Sequence, residues 1–161
     1  MATESAKNEI HLCRINTVNY PLFANLVAWR LNGEEASSTE ACIPSDVPAA
    51  VRSAIARPDY WLFTAVCQAR MIGWISLYYL PKVGKYNGHG HLYVDELWVA
   101  PAFRQHGAAK LLMKQAETCA LSCGAVGIRL YVNTENPEAQ ALYAALGYEG
   151  SSTAFFKEKH L

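Results

Sequence analysis

Six consecutive residues, Arg104-Gln105-His106-Gly107-Ala108-Ala109, constrain this chain more than any other stretch of it. They follow an apolar, strand-like run over residues 92–99 and lead into a helix-like run over 110–123. A strand, a short glycine-bearing turn and a helix together make a site for an anion. The first N–H groups of a helix have no intrahelical partner, and the helix dipole adds partial positive charge there. Gly107 lacks a Cβ, so a ligand can approach the backbone closely or φ can turn positive. Arg104 adds a planar cation suited to phosphate oxygens. The element implies a phosphorylated ligand.

Two common phosphate loops are excluded. A dinucleotide fingerprint needs G-x-G-x-x-G early in a βαβ unit and an acidic residue about 20 residues on. Here one glycine stands in the turn, two-thirds of the way along the chain. The loop G-x-x-x-x-G-K-[ST] is also absent. Arg104, Gly107 and Ala109 instead fit R/Q-x-x-G-x-G/A, with Pro101 shortly before. Downstream, the run from Asn136 through Ala139, Leu142, Tyr143 and Gly147 to Tyr148 fits N-x-x-A-x-x-L-Y-x-x-x-G-F/Y at every defined position. By these two blocks, in this order, the chain resembles the GNAT superfamily of acetyl-CoA-dependent N-acetyltransferases. The resemblance is sharp over residues 92–148 and rests on element order before that. Two departures stand out. Gln105 occupies a position where many members carry Gly, and its side chain either crowds the loop mouth or donates to a phosphate. Ala109 replaces a Gly, which the pattern permits.

Composition bounds the function classes. At 161 residues the chain is long enough for one domain, read as 1–161 with residues 1–9 as a flexible tail. Apolar residues make up 52%, enough for a buried core. Lys plus Arg and Asp plus Glu number 14 each, and this balance argues against a nucleic-acid partner. It also fits a buried oligomer surface, so a homodimer is compatible with it. No apolar run approaches the roughly 18 residues of a membrane span, so no membrane partner is expected. The polar N-terminus and five scattered cysteines, Cys13, Cys42, Cys67, Cys119 and Cys123, point to a cytoplasmic protein without disulfides. Cys119 and Cys123, one helical turn apart, read as small core residues. His89, His91 and His106 lack metal-ligand spacing, and no metal is expected.

The periodicity predicts a strand over 10–15 and a helix over 18–31 with Val18, Leu22, Leu26 and Trp29 on one face. Asn32-Gly33 stops that helix. A second helix, capped by Ser45 or Asp46, ends at Arg57 before Pro58. Strands follow over 61–66 and 71–80, joined by a turn at Gln68-Ala69-Arg70. Residues 81–90 read as a loop and 92–99 as a strand ended by Pro101. Then come a helix over 107–123, a strand over 128–132, a helix over 137–146, and one or two strands over 148–157. The core face of the long helix is read as Ala108, Leu111, Leu112, Ala116, Cys119 and Ala120.

This element order is the one the family uses. The resemblance therefore implies an α/β (α+β) fold. Its centre is a mixed, mostly antiparallel sheet of six to seven strands, splayed between the fourth and fifth and flanked by about four helices. Acetyl-CoA, as co-substrate, lies in that splay. Its peptide-like arm would pair with Leu97, Trp98 and Val99, because opened strands leave N–H and C=O groups that need partners. Its pyrophosphate would rest on Gln105, His106, Gly107, Ala108 and Ala109, beside Arg104. Asn136 matches a position next to the cofactor, and its spacing equally fits a helix cap before Pro137.

The chemistry needs a neutral amine, because an ammonium has no lone pair. Asp95 and Glu96 match acidic positions able to take the proton. Strand alternation sends them to opposite faces, unless a bulge inverts the count. A backbone N–H at Val99 or a neighbour would face the developing negative oxygen. Tyr143 matches the position that returns a proton to the leaving thiolate, and a phenol with a pKa near 10 is protonated at neutral pH. No Cys falls in either motif, so direct attack in a ternary complex is expected rather than an acyl-cysteine. The acceptor would be a small-molecule or peptide amine. Glu34, Glu35 and Glu40, with Trp61, Trp74, Tyr78, Tyr79, Tyr86 and Tyr93 nearby in sequence, suit a small cationic amine through ion pairing and cation–π contact. The alternative is a non-catalytic acyl-CoA-binding sensor or regulatory module.

Overall fold

The computed structural model describes residues 9–35, 47–150 and 157–160. The tail before Glu9, the Ser45 or Asp46 cap, Glu40, Cys42 and any strand over 151–156 lie outside the described residues. The chain forms two compact units, Met1–Tyr131 and Val132–Leu161. The first contains β1 (Ile10–Arg14), α1 (Tyr20–Asn32), α2 (Ala49–Ile55), β2 (Tyr60–Cys67), β3 (Arg70–Lys82) and β4 (Gly88–Val99), then a 3-10 turn (Pro101–Phe103), α3 (Ala108–Ser122) and β5 (Gly127–Leu130). The second contains α4 (Pro137–Ala145).

The five described strands form one mixed sheet in the order β1-β2-β3-β4-β5. Neighbours from β1 to β4 are antiparallel, and β5 joins β4 in parallel. The fold class is the expected one. The expected sixth or seventh strand, over 148–157, falls mostly outside the described residues. No helix among the described residues is long and apolar enough to cross a membrane.

Residues Ile72 to Leu77 of β3 are buried without a break. Side chains alternate along a strand, so an unbroken buried run means both faces are covered. On one face Trp74 packs with Phe23 and Leu26 of α1, Leu62 of β2 and Ile15. Helix α3 packs on β2, β3 and β4 and buries Ala108, Leu112, Met113, Ala116, Cys119 and Ala120. Met113 takes a core position that the expected face gave to the half-buried Leu111.

Other sequence readings need correction. Val18 precedes α1 and is 87% exposed, and Leu22 is 52% exposed. The Asn16 side chain accepts from the N–H groups of Val18 and Asn19, so the helix starts later than expected. Leu26 is buried as expected, and Phe23 rather than Leu22 is buried with it. Gly33 closes α1 with φ 81°, donating its N–H to Trp29 O. At the 68–70 turn, Gln68 and Ala69 have φ 50° and 61°, the double positive φ that suits the twist of a hairpin. The expected loop over 81–90 is much shorter. Register continues to Lys82↔Gly88, because pairing satisfies backbone groups a loop would leave to water.

Candidate active site

Strand β4 has one fully paired edge and one that opens. It pairs with β3 as far as Gly73↔Val99, but with β5 only from His91↔Gly127 to Val94↔Leu130. Beyond Val94 the edge carrying Leu97, Trp98 and Val99 has no strand partner among the described residues. The β4 edge is thus left open where the splay is expected, because β5 ends at Leu130. Part of that edge is already engaged, since Arg104 Nε donates to Val99 O at 3.1 Å. This bond draws the Arg104 side chain back along the strand end and leaves its two Nη groups outside the bond.

After Val99 the chain turns through Pro101–Phe103 and extends at Arg104. Gln105 then takes φ 61°, a left-handed conformation rare for a residue with a Cβ. His106 Nδ1 lies 2.6 Å from Arg104 O. Gly107, with φ 89°, is the N-cap of α3 and supplies no side-chain cap. A Cβ on Gly107 would meet nothing within 4 Å, so its requirement is conformational rather than spatial. Residues 104–107 are exposed, and Ala108 is buried behind them. Uncapped N–H groups at the start of α3, with a guanidinium alongside, fit an anionic phosphate group. The open edge of β4 fits an amide-bearing arm. The left-handed Gln105 also explains why glycine is common at that motif position.

The two acidic candidates sit at a bulge. Register passes from Ser76↔Glu96 to Leu77↔Val94, so Asp95 is the extra residue. The simple alternation that would send Asp95 and Glu96 to opposite faces does not hold. Ser76 Oγ accepts from the Glu96 N–H at 3.2 Å and donates to Asp95 Oδ2 at 3.5 Å. The Glu96 carboxylate is held at both oxygens. Arg30 Nη1 donates to Oε1 at 2.7 Å, and Trp74 Nε1 donates to Oε2 at 3.3 Å. The Arg30 guanidinium also lies over the Trp74 ring, 5.2 Å from its centroid. Trp98 stands 5.0 Å from Trp74 and 6.1 Å from Trp29.

In the second unit, Asn136 caps α4, accepting from the Ala139 N–H at 3.0 Å. The capping role that its spacing allowed is therefore filled. Tyr143 is half-buried, with its ring 5.8 Å from Tyr148. Burial pushes the Tyr143 hydroxyl above its ordinary value, so it stays protonated at neutral pH and can donate.

Sequence reasoning missed Arg30 and Ser76. Arg30 meets Glu96 across 66 positions of chain, and no local pattern signals that. Of the carboxylates expected to attract a cation, Glu35 pairs with Arg70. Cys13, Cys67, Cys119 and Cys123 are free thiols. Burial pushes Cys119 up, as befits a core residue. Among the described residues, no group of three or more His, Cys, Asp or Glu is arranged to hold a metal.

Comparison with known proteins agrees with this geometry. The model of the acetyltransferase (GNAT) family matches residues 28–148. No curated protein sequence matches the chain. Among solved structures, an aminoglycoside acetyltransferase from an uncultured soil metagenomic sample is similar at 20% identity. Its TM-score is 0.75, covering 94% of this chain and 99% of that one. The aminoglycoside N-acetyltransferase AAC(6')-Iy, in complex with a bisubstrate analogue of CoA, has 18% identity and a TM-score of 0.72, covering 95% and 99%. A transcriptional regulator from Bacillus halodurans C-125 has 16% identity and a TM-score of 0.73, covering 95% and 100%. At these identities the likeness is one of fold.

Proposed function

Because the chain belongs to the acetyltransferase (GNAT) family, an enzyme class that transfers acetyl groups from acetyl-CoA, we propose that it acetylates a small cationic amine by direct attack in a ternary complex. One observation carries the reading. The open edge of β4 runs straight into an exposed, uncapped helix start flanked by Arg104. When bound, acetyl-CoA supplies the activated acetyl group. Leu97, Trp98 and Val99 would hold its arm, and the backbone of Gln105 to Ala109 with Arg104 would hold its phosphates. Asn136 keeps its role as a cap while serving as a cofactor-side residue in this reading.

Asp95 is the carboxylate we assign to proton removal. Both Glu96 oxygens are already engaged, by Arg30 and by Trp74, so Glu96 must release a partner before it accepts a proton. Tyr143 would return a proton to the departing thiolate. Support for a cationic acceptor comes from the carboxylate and indole beside the bulge, and from the aminoglycoside acetyltransferases of like fold.

The reading extends to one acyltransferase domain over 1–161, since the family match crosses the junction of the two units. It includes a cytoplasmic setting, supported by the free thiols. It also includes a homodimer, supported by the formal charge of zero.

The test is acetyl-CoA turnover against a panel of primary amines, with acetylated product read by mass. Turnover of one amine class is expected, with kcat falling about 100-fold in Tyr143→Phe. The alkaline limb assigned to Tyr143 should lie above the ordinary tyrosine value of about 10 and vanish in that variant. Acetyl-CoA binding with no turnover across the panel would favour the sensor module. No binding at all would sink the cofactor assignment.

A further inference from the structure

Among the described residues, Arg30 is the cation paired with a bulge carboxylate, and neither motif contains it. It lies in the last turn of α1, and its contacts run to β3 and β4. Glu96 Oε1 accepts from it at 2.7 Å, and the Trp74 ring lies beneath it at 5.2 Å. Trp74 is 1% exposed, so its ring is covered on all sides, with Arg30 on one of them. An ion pair with a carboxylate and stacking on an indole face are the two attractions that hold an organic cation in an aromatic cage. The chain has placed its own cation in such a cage.

The Arg30 and Glu96 side chains are 38% and 46% exposed. Pairs this open are screened by water and contribute little, so exchanging one cation for another there is close to neutral. The cage adjoins Asp95 and Leu97, at the start of the open edge of β4. We propose that Arg30 is an internal stand-in for the acceptor. A cationic group of the acceptor displaces the Arg30 guanidinium from Glu96 and Trp74, and a second amine of the same molecule is then the one presented for acetylation. The acceptor class is an amine with two or more positive groups. Arg30 acts as its competitor and so sets how much charge an acceptor needs in order to enter. This inference rests on the acetyl-transfer reading for what happens next, but not for the exchange itself.

Binding and turnover test the two separately. Binding of 1,4-diaminobutane is titrated by tryptophan fluorescence and calorimetry in wild type, Arg30→Met, Arg30→Gln and Arg30→Lys. Removing the competitor should tighten binding about threefold in Arg30→Met and Arg30→Gln, the release expected from an exposed, weakly held pair. Arg30→Lys, which keeps a cation, should stay near wild type. Adding Glu96→Gln to Arg30→Met should erase the gain, and the neutral diol of the same length should gain nothing. Arg30→Gln serves if Arg30→Met fails to fold. Equal or weaker binding of the dication in the uncharged variants overturns the exchange and makes Arg30 a structural partner of Glu96. Acetyl-CoA turnover is read in the same samples. A gain in affinity without turnover would leave the exchange standing and count against acetyl transfer to this amine. Turnover without a gain would overturn the exchange alone.

Discussion

Residues 104–109 and the cluster of Arg30, Trp74 and Glu96 flank the same strand, yet they are built in different ways and suit opposite charges. The turn offers backbone N–H groups and one guanidinium from six adjacent residues, an arrangement for an anion. The cluster draws one residue each from α1, β3 and β4 and offers a carboxylate with an indole face, an arrangement for a cation. The first depends on backbone conformation and the second on side-chain packing. Substitutions therefore act through conformation at the turn and through contacts at the cluster.

The largest expected effect lies beside the cluster. Asp95→Asn removes the assigned proton acceptor and should lower kcat by about 100-fold or more, with a smaller change in KM. Glu96→Gln should instead raise the acceptor KM. If Glu96→Gln carries the larger kcat loss, the two carboxylates have exchanged roles and the contrast between base and anchor breaks. At the turn, Gly107→Ala places a Cβ at φ 89°, a conformation that costs about 1–2 kcal/mol for such a residue. A backbone that relaxes away from that conformation misdirects the helix N–H groups. The KM for acetyl-CoA should then rise about tenfold, as the loss of one charge-assisted hydrogen bond implies. An unchanged KM would show that the turn is not the anion site. The smallest effect is at Gln105. Gln105→Gly relieves the left-handed strain at φ 61° and should raise stability by about 1 kcal/mol, or about 2–4 °C in Tm. A simultaneous rise in acetyl-CoA KM would mean that the Gln side chain donates to a phosphate.

The strand, turn and helix around Arg104 were legible in the sequence because they are contiguous. Strand, turn, glycine and helix follow one another from Gly88 to Ser122, so spacing alone gave their order. The Asn136 cap was legible for the same reason, with acceptor and donor three residues apart. The bulge at Asp95 could be foreseen only as an alternative. It depends on how Ser76 and Leu77 of the neighbouring strand register against β4. Arg30 was invisible, because nothing in the residues around it encodes a partner 66 positions away. The face of α1 was legible at Leu26 but not at its start: Asn16 and Asn19 begin the helix at Tyr20, which leaves Val18 outside it, and packing on the sheet buries Phe23 rather than Leu22.

From its own residues the chain revealed the family through two contiguous motifs, and the order of the elements around Gly107 through short-range periodicity and turn chemistry. The tertiary structure alone decided that Asp95 and Glu96 both contact Ser76, that Glu96 is occupied, and that the cation occupying it is Arg30. Those outcomes depend on strand register and on packing of α1 against the sheet, where partners distant in sequence compete for the same carboxylate and the same ring face.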